Sequence, residues 1–248
     1  MGEIRAVLFD FGHTLVDFHR TEEALLEAYE QIRARIEAAL YMEAPEVGHL
    51  IDRVAHEVDR RVGASYQERR LEELDLVALF DEILLATLGL TVPPDVVRHI
   101  VHLDHSAYSR TLKISPENLG VLEELKGRDL KLGLVSNVAL LPDLMRNDLK
   151  EMGIAPYLDA ETFSSEVGTR KPDPRIFRHV LEQIGVEPAG AVFVGDRMGD
   201  DIGGAKGVGM RGVLTREFRS EDPEADPPDA VVERLTGLPA ALDRLARG

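Results

Sequence analysis

The sequence contains no cysteine. A thiol nucleophile, a disulfide framework and a thiolate metal site are therefore all excluded. Positive charge is also scarce, because 45 acidic residues against 29 basic ones give a formal net charge of -16. Since nucleic-acid phosphates select basic surfaces, no nucleic-acid partner is expected. A small anionic ligand stays compatible with this balance, because a local pocket can be positive on an acidic chain.

Long hydrophobic runs are missing as well. No apolar stretch reaches the roughly 20 residues that a membrane-spanning helix needs, so no membrane partner is predicted. A strand begins almost at once and leaves no room for a signal peptide, so a cytoplasmic location is expected by elimination. With 248 residues, the chain can bury a full core as one large domain or as a domain carrying an insertion. The sequence leaves the oligomeric state open.

The chain is organised around its first strand. Residues 6 to 9, AVLF, are apolar, show no helical spacing and end at the carboxylate Asp10. Such a run fits a strand buried on both faces of a parallel sheet, and open α/β sheets bind ligands at the carboxyl ends of their strands. Taken alone, Asp10 is equally compatible with a turn or a helix N-cap.

Two patterns follow this strand. Residues 21 to 109 have helical periodicity without any strand pattern, whereas helices and strands alternate after residue 116. The first region is predicted to form helices over 21–40, 47–62, 71–87 and 94–110. The second is predicted to form strands over 130–135, 158–163, 189–194 and 211–214, helices over 118–127, 141–152, 173–184 and 201–208, a loop over 220–229 and a last helix over 238–246. Alternating strands and helices predict a parallel sheet with right-handed crossovers.

Polar residues stand at the other strand ends. Ser136 and Asn137 end the second strand, and a hydroxyl beside free backbone amides can bind an anion. Asp196, Asp200 and Asp201 follow a later strand and make an oxygen-rich turn that suits Mg²⁺. Each has an ordinary alternative, because Ser136 can cap a helix and the paired aspartates can favour a helix N-terminus through its dipole.

A lysine stands between these two groups. Lys171 belongs to the proline-flanked stretch 168–174, GTRKPDP, which would hold a cation on rigid backbone. Alone it could be an ordinary solvated lysine. A carboxylate, a hydroxyl, a lysine and an acidic turn at the ends of one parallel sheet are together the equipment for phosphoryl transfer.

Four ordered motifs make the chain resemble the haloacid dehalogenase superfamily of hydrolases. They are DFGHTL at 10–15, LVSN at 134–137, GTRKPDP at 168–174 and VGDRMGDD at 194–201. The resemblance covers nearly the whole chain. It implies an α/β fold with a Rossmann-like, three-layer parallel sheet core, residues 1–15 and 111–248, and an all-helical cap domain, residues 16–110. Tyr66, Arg69 and Arg70 lie where the family's substrate-selecting loops occur, but salt bridges between helices explain them equally well.

The resemblance also implies roles for single residues. Asp10 would be the nucleophile that forms an aspartyl-phosphate, while Ser136 and Lys171 would hold the phosphoryl group and Lys171 would neutralise Asp10. Mg²⁺ would be bound by Asp10, the carbonyl of Gly12, Asp196 and Asp201, with Asp200 as the alternative to Asp201. The substrate would contact Gly12, His13, Ser136, Asn137 and Lys171. A carboxylate can attack a phosphate dianion only where charge is neutralised around both, which Mg²⁺ and lysine would do.

One position departs from the family pattern. Phosphatases of this family carry a second aspartate two residues after the first, as general acid and base, and here that residue is Gly12. Such a group contributes about 10²- to 10⁴-fold to the rate. Its loss would mean slow hydrolysis, a leaving group that needs no acid, or a substitute acid. His13 is the obvious substitute, although it could equally only pack in its loop.

The departure leaves rival functions open. Phosphonate-cleaving relatives use a cap lysine, but residues 16 to 112 contain none. Dehalogenase relatives also lack the second aspartate, but they need no metal and have a serine and asparagine pattern where this chain has Asp196. A catalytically weak protein that binds phosphate or a partner is the third possibility. The sequence therefore predicts a Mg²⁺-dependent phosphomonoesterase acting on a small phosphorylated metabolite, with a dehalogenase-like hydrolase or a binding protein as alternatives.

Overall fold

The computed structural model describes residues 3–221 and 226–247. Its centre is one sheet of six parallel strands in the order β3-β2-β1-β4-β5-β6. The strands are β1 (Ala6–Phe9), β2 (Lys131–Ser136), β3 (Ala160–Phe163), β4 (Ala191–Gly195), β5 (Arg211–Thr215) and β6 (Ala230–Val232). The first strand of the chain thus lies inside the sheet, paired with β2 on one side and β4 on the other. The parallel α/β sheet predicted from the sequence is confirmed.

Helices cover both faces of the sheet because strand residues point alternately to its two sides. Val7 and Phe9 belong to an apolar cluster with α6 (Pro116–Gly127) and α11 (Leu238–Arg247). Ala6 and Leu8 instead pack in a second cluster with α9 (Pro174–Ile184) and α10 (Gly204–Gly207). This arrangement confirms the predicted three-layer core.

A block of helices separates β1 from α6. It consists of α1 (Glu22–Leu40), α2 (Val47–Leu50), a π-helical segment (Ile51–Ala55) that continues into α3 (His56–Gln67), α4 (Leu76–Leu88) and α5 (Pro94–Ser109). Thr21 caps α1 as predicted, since its hydroxyl accepts a hydrogen bond from the Ala24 amide at 3.2 Å. The chain enters and leaves this block side by side, at an antiparallel bridge between Asp17 and Lys113. The domain limits given above stay a prediction.

One helix of the block starts later than predicted. The helix expected over 71–87 begins at Leu76, where the Asp75 carboxylate accepts a hydrogen bond from the Ala78 amide at 3.0 Å. The preceding residues are extended, and Glu72 forms an antiparallel bridge with Thr169 of the core. The apolar residues before the cap fit a helix pattern, but tertiary pairing decides their conformation.

Two other segments differ from the sequence prediction. The helix predicted over 201–208 is preceded by a π-helical segment, Met198–Gly203, and strand β6 was not predicted because it has only three residues. Residues 222–225 of the predicted acidic loop lie outside the described residues. The remaining α-helices are α7 (Pro142–Glu151) and α8 (Ser164–Val167). Within the described ranges, no helix combines the length and the apolar character that crossing a bilayer requires.

Candidate active site

The strand order brings the predicted site residues to one edge of the sheet. Asp10 follows β1, Ser136 ends β2 and Asp196 follows β4, and these three strands are neighbours. A cavity of about 570 Å³ opens at this edge. It is lined by every predicted site residue: Asp10, Gly12, His13, Ser136, Asn137, Lys171, Asp196 and Asp201. The alternative ligand Asp200 lines it as well.

Lys171 lies between two carboxylates. Its Nζ donates to Asp10 Oδ1 at 2.6 Å and to Asp201 Oδ1 at 2.7 Å, and the residue is buried. Burial alone would lower the pKa of this lysine, but Asp10 and Asp201 raise it above its ordinary value. The side chain is therefore a fixed ammonium group at the carboxyl end of β1.

Three carboxylates converge beside this lysine. Asp10, Asp196 and Asp201 each have an oxygen within 4.8 Å of an oxygen of the others. Burial raises the pKa of Asp10 to about 6 against the opposing effect of Lys171, and burial, followed by Asp201 and Asp10, raises that of Asp196 to about 7. Negative charge at this edge thus exceeds what Lys171 neutralises, although the Arg219 guanidinium also donates to Asp196 at 2.7 Å. Two or three carboxylate oxygens around one point form a donor set that suits Mg²⁺.

The geometry distinguishes the two adjacent aspartates. Asp201 is buried, accepts from Lys171 and also accepts from the Arg197 amide at 3.0 Å, whereas Asp200 lies outside the three-carboxylate group. A Cβ at residue 195 would lie 2.4 Å from Asp201, so only glycine lets this carboxylate lie against the end of β4.

The end of β2 supplies polar groups on the other side of Asp10. Ser136 is buried at the end of β2 and lines the cavity. The Asn137 side chain is fixed to the backbone of Lys171, accepting from its amide at 2.7 Å and donating to its carbonyl at 3.1 Å. The serine hydroxyl is therefore available to an anion, while the asparagine positions the lysine.

The position of the missing second aspartate is occupied by an aromatic ring. A Cβ at residue 12 would lie 2.7 Å from Cε1 of Phe18. His13 has a left-handed φ of 60° and stacks on the same ring, with 5.0 Å between the centroids. Burial, and then Arg219, lowers the pKa of His13, which disfavours the imidazolium form that a general acid needs. The loop thus has its own packing without the family's carboxylate.

Helices α3 and α5 provide the wall opposite the sheet. Apolar side chains from α3 and α7 line it, among them Val58, Val62 and Met145, whereas α5 contributes Asp104, His105 and Tyr108. Polar residues that sequence reasoning did not select lie there too. His105 Nε2 is 2.7 Å from Asp148 Oδ2 between α5 and α7, and Tyr66 from α3 reaches the carbonyl of Asn137 at 3.2 Å. Their partners are far away in sequence, so no local motif signals them.

A second cavity, of about 500 Å³, shares Tyr66, Asn137 and Lys171 with the first. Four arginines line it: Arg69, Arg70, Arg170 and Arg197. Five basic residues, the four arginines and Lys171, line this opening against two carboxylates, Asp200 and Glu221, so it has an excess of basic groups on an acidic chain. Such an arrangement attracts anions toward the buried lysine.

The fold and the site together define a hydrolytic enzyme with a parallel α/β core, a buried carboxylate beside a lysine, and an acidic site suited to a cation. A family profile described as haloacid dehalogenase-like hydrolase matches residues 4–209. The chain therefore belongs to the haloacid dehalogenase-like hydrolase family, and the resemblance seen in its motifs is confirmed.

Individual relatives are similar over nearly the full length. The chain is 32% identical to a glyceraldehyde 3-phosphate phosphatase of Methanopyrus kandleri, with 98% of this chain and 99% of the relative covered. It is also 32% identical to a phosphoserine phosphatase of Thermus thermophilus, with 90% and 94% covered. Among solved structures, a 2-haloacid dehalogenase of Pseudomonas syringae pv. Tomato superposes with a TM-score of 0.67 at 26% identity, with 98% and 99% covered.

Proposed function

We propose that this hydrolase is a Mg²⁺-dependent phosphomonoesterase that acts on a small phosphorylated metabolite with Asp10 as nucleophile. The observation that carries the proposal is the position of Lys171 between Asp10 and Asp201, with Asp196 beside them. A phosphate dianion and an attacking carboxylate repel each other, so this chemistry needs positive charge shared by both. The phosphatase names of two relatives that match nearly the whole chain support the same reaction.

The cluster of three carboxylates fits Mg²⁺, the metal that the family resemblance implies. Asp10, Asp196 and Asp201 would hold Mg²⁺, with the carbonyl of Gly12 as the further ligand implied by the family motif. The convergence of the three carboxylates within 4.8 Å of one another, beside Lys171, supports this assignment. When bound, the cation would neutralise charge on the phosphoryl oxygens.

The side chains have separate roles in the proposed reaction. A carboxylate oxygen of Asp10 forms a bond to phosphorus as the bond to the leaving oxygen breaks, and the electron pair of that bond leaves with the oxygen. Lys171 and the Ser136 hydroxyl donate to the phosphoryl oxygens throughout. Water then attacks phosphorus, releasing inorganic phosphate and regenerating the Asp10 carboxylate. Because residue 12 is glycine and the pKa of His13 is lowered, we propose that the proton for the leaving oxygen comes from water or from the substrate itself.

We also propose that residues 16–110 act as the cap, with α3 and α5 forming the wall that faces the leaving group. The apolar lining from Val58, Val62 and Met145 supports a leaving group that is enclosed rather than solvated. The arginine-lined opening supports entry of an anion on a chain of net charge -16. Both features favour a small substrate over a phosphorylated macromolecule.

Phosphate release from sugar phosphates, nucleotides and small phosphomonoesters tests the proposal, measured with Mg²⁺ and with a chelator. The Asp10→Asn variant keeps the shape of the side chain and removes the nucleophile, so we expect activity to fall about 10⁴-fold or more. Chelation should abolish the wild-type activity reversibly. Equal background for both proteins would contradict the proposal, and release of halide from 2-haloacids without metal would favour the dehalogenase alternative.

A further inference from the structure

One arginine of the core is buried where the core contacts the helical block. Arg170 precedes Lys171 in sequence, and its side chain is the largest that is fully buried in the described residues, with 1% of the residue exposed. The reaction described above gives it no role. A guanidinium this deeply buried persists only where acceptors surround it.

Its partners come from a single stretch, residues 65–73, which we name the clamp segment. Arg170 Nη1 donates to Ser65 Oγ at 2.9 Å, and the other terminal nitrogen pairs with the Glu73 carboxylate. The guanidinium also lies over the Tyr66 ring, 3.9 Å from its centroid. The backbone adds a further link, because the Arg170 amide donates to the Leu71 carbonyl at 2.7 Å. One side chain therefore holds both ends of the segment.

The clamp segment reaches the catalytic lysine through one residue. The Tyr66 hydroxyl donates to the carbonyl of Asn137 at 3.2 Å, and the ring lines the catalytic cavity. Asn137 in turn is bonded to both backbone groups of Lys171. Arg170, Tyr66, Asn137 and Lys171 thus form a closed ring of contacts, and the last three of them line the catalytic cavity.

We propose that Arg170 is a positioning residue, which fixes the clamp segment against the core so that Tyr66 closes the cavity beside Lys171. The proposal rests on the phosphomonoesterase function, since it gives Tyr66 the task of enclosing the phosphoryl group. A planar guanidinium can serve two acceptors and one ring face at the same time, whereas a lysine ammonium cannot match this geometry. Positioning of this kind acts on the rate, because a displacement of about 1 Å can cost about 10²-fold.

Arg170→Met, Arg170→Lys and a matched control test the proposal. The control is Arg146→Met, because Arg146 also bonds two acceptor side chains, here Glu161 and Glu166, and lies over a ring, but it does so away from the clamp segment. In hydrogen exchange followed by mass spectrometry, we expect peptides covering 65–73 to exchange at least about tenfold faster in Arg170→Met and unchanged in the control. Arg170→Lys should be intermediate.

The kinetic readout separates positioning from stability. Well below the unfolding temperature, we expect kcat/KM to fall about 10- to 100-fold in Arg170→Met, with KM raised as well as kcat lowered. Arg170→Lys should recover part of this loss, and the control should match the wild type. A role in stability alone would lower Tm and leave kcat and KM unchanged, which would overturn the proposal.

A second variant guards against loss of folding. Arg170→Met leaves Glu73 buried without its partner, so Arg170→Met with Glu73→Gln removes both charges and keeps an acceptor for the Ser164 hydroxyl, which donates to Glu73 at 2.5 Å. We expect this protein to fold and still to show fast exchange over 65–73. Wild-type exchange rates in the double variant would overturn the proposal. If the wild type hydrolyses no phosphate ester, the proposed function fails, and the exchange rates still decide whether Arg170 holds the segment.

Discussion

Two groups of carboxylates face the same cavity and differ in how their charges are paired. In the core, the oxygens of Asp10, Asp196 and Asp201 converge within 4.8 Å, Lys171 serves both Asp10 and Asp201, and Arg219 donates to Asp196. In the second group, each carboxylate has a donor of its own within residues 16–110. Asp59 pairs with Arg20, Asp104 accepts from Tyr29 at 2.9 Å, and Asp148 of α7 meets His105 at 2.7 Å.

The difference indicates which group needs a ligand. Carboxylates with separate partners are complete as they stand, and they hold helices together. Carboxylates whose oxygens lie within 4.8 Å of one another repel in the folded protein, and a further cation bound between them relieves this repulsion. A raised pKa alone does not separate the two groups, because burial raises the pKa of Asp104 to about 6, as it does that of Asp10. The spacing of the oxygens separates them.

The same isosteric change in both groups gives the largest contrast. Asp196→Asn removes one of the proposed metal ligands, so we expect kcat/KM with Mg²⁺ to fall about 10³-fold or more. Asp104→Asn keeps an acceptor for the Tyr29 hydroxyl, so we expect kcat/KM to fall by less than about tenfold. Phosphate release at saturating Mg²⁺ measures both. Similar losses in the two variants would remove the distinction between the groups.

Adding a carboxylate to the core group should have the next largest effect. Gly12→Asp with Phe18→Ala restores the family's acid where the Phe18 ring now lies 2.7 Å from the position that a Cβ would take. We expect alkyl phosphates to be hydrolysed about 10²-fold faster than by Phe18→Ala alone, because a general acid would protonate the leaving oxygen. A nitrophenyl phosphate, whose leaving group needs little protonation, should gain less. No gain for alkyl phosphates would show that the chain already supplies this proton.

The smallest effect concerns stability in the helical block. Burial raises the pKa of Asp104 from 3.8 to about 6, despite the nearby Tyr29, Arg20 and His105 and with a further contribution from Asp59. The folded state therefore keeps a proton that the unfolded state releases, and stability falls as the pH rises from about 4 to about 6. The Asp104→Asn side chain does not ionise, so this variant does not lose stability over that pH range. We expect its free energy of unfolding to exceed that of the wild type by on the order of 2 kcal/mol at pH 8.

Thermal unfolding of both proteins at pH 4 and pH 8 checks this sign. The difference in Tm should be near zero at pH 4 and several degrees at pH 8, because about 1 kcal/mol corresponds to 2–4 °C in a chain of this size. A variant that is less stable than the wild type at pH 8 would mean that Asp104 is fully paired as a charged group.

The sequence was sufficient for the strand ends and insufficient for the contacts between distant segments. Asp10, Ser136 and Asp196 could be placed together because apolar strands in a parallel sheet end at one edge. The contact between Gly12 and Phe18, the His105 and Asp148 pair and the clamp of Arg170 each join residues whose pairing no periodicity reveals. The late start of α4 has the same cause, since residues 71–73 pair with a core loop rather than with their own helix.

The bridge between Asp17 and Lys113 has a consequence for how such a chain can change. About a hundred residues, most of them helical, begin and end at adjacent points. The block therefore constrains the spacing of the sheet strands no more than a short hairpin would. Such a block can lengthen, shrink or be exchanged for another without altering the register of β1 and β2, and hence without moving Asp10 away from Ser136. The residues that carry the proposed chemistry thus stay with the sheet when the helical block changes.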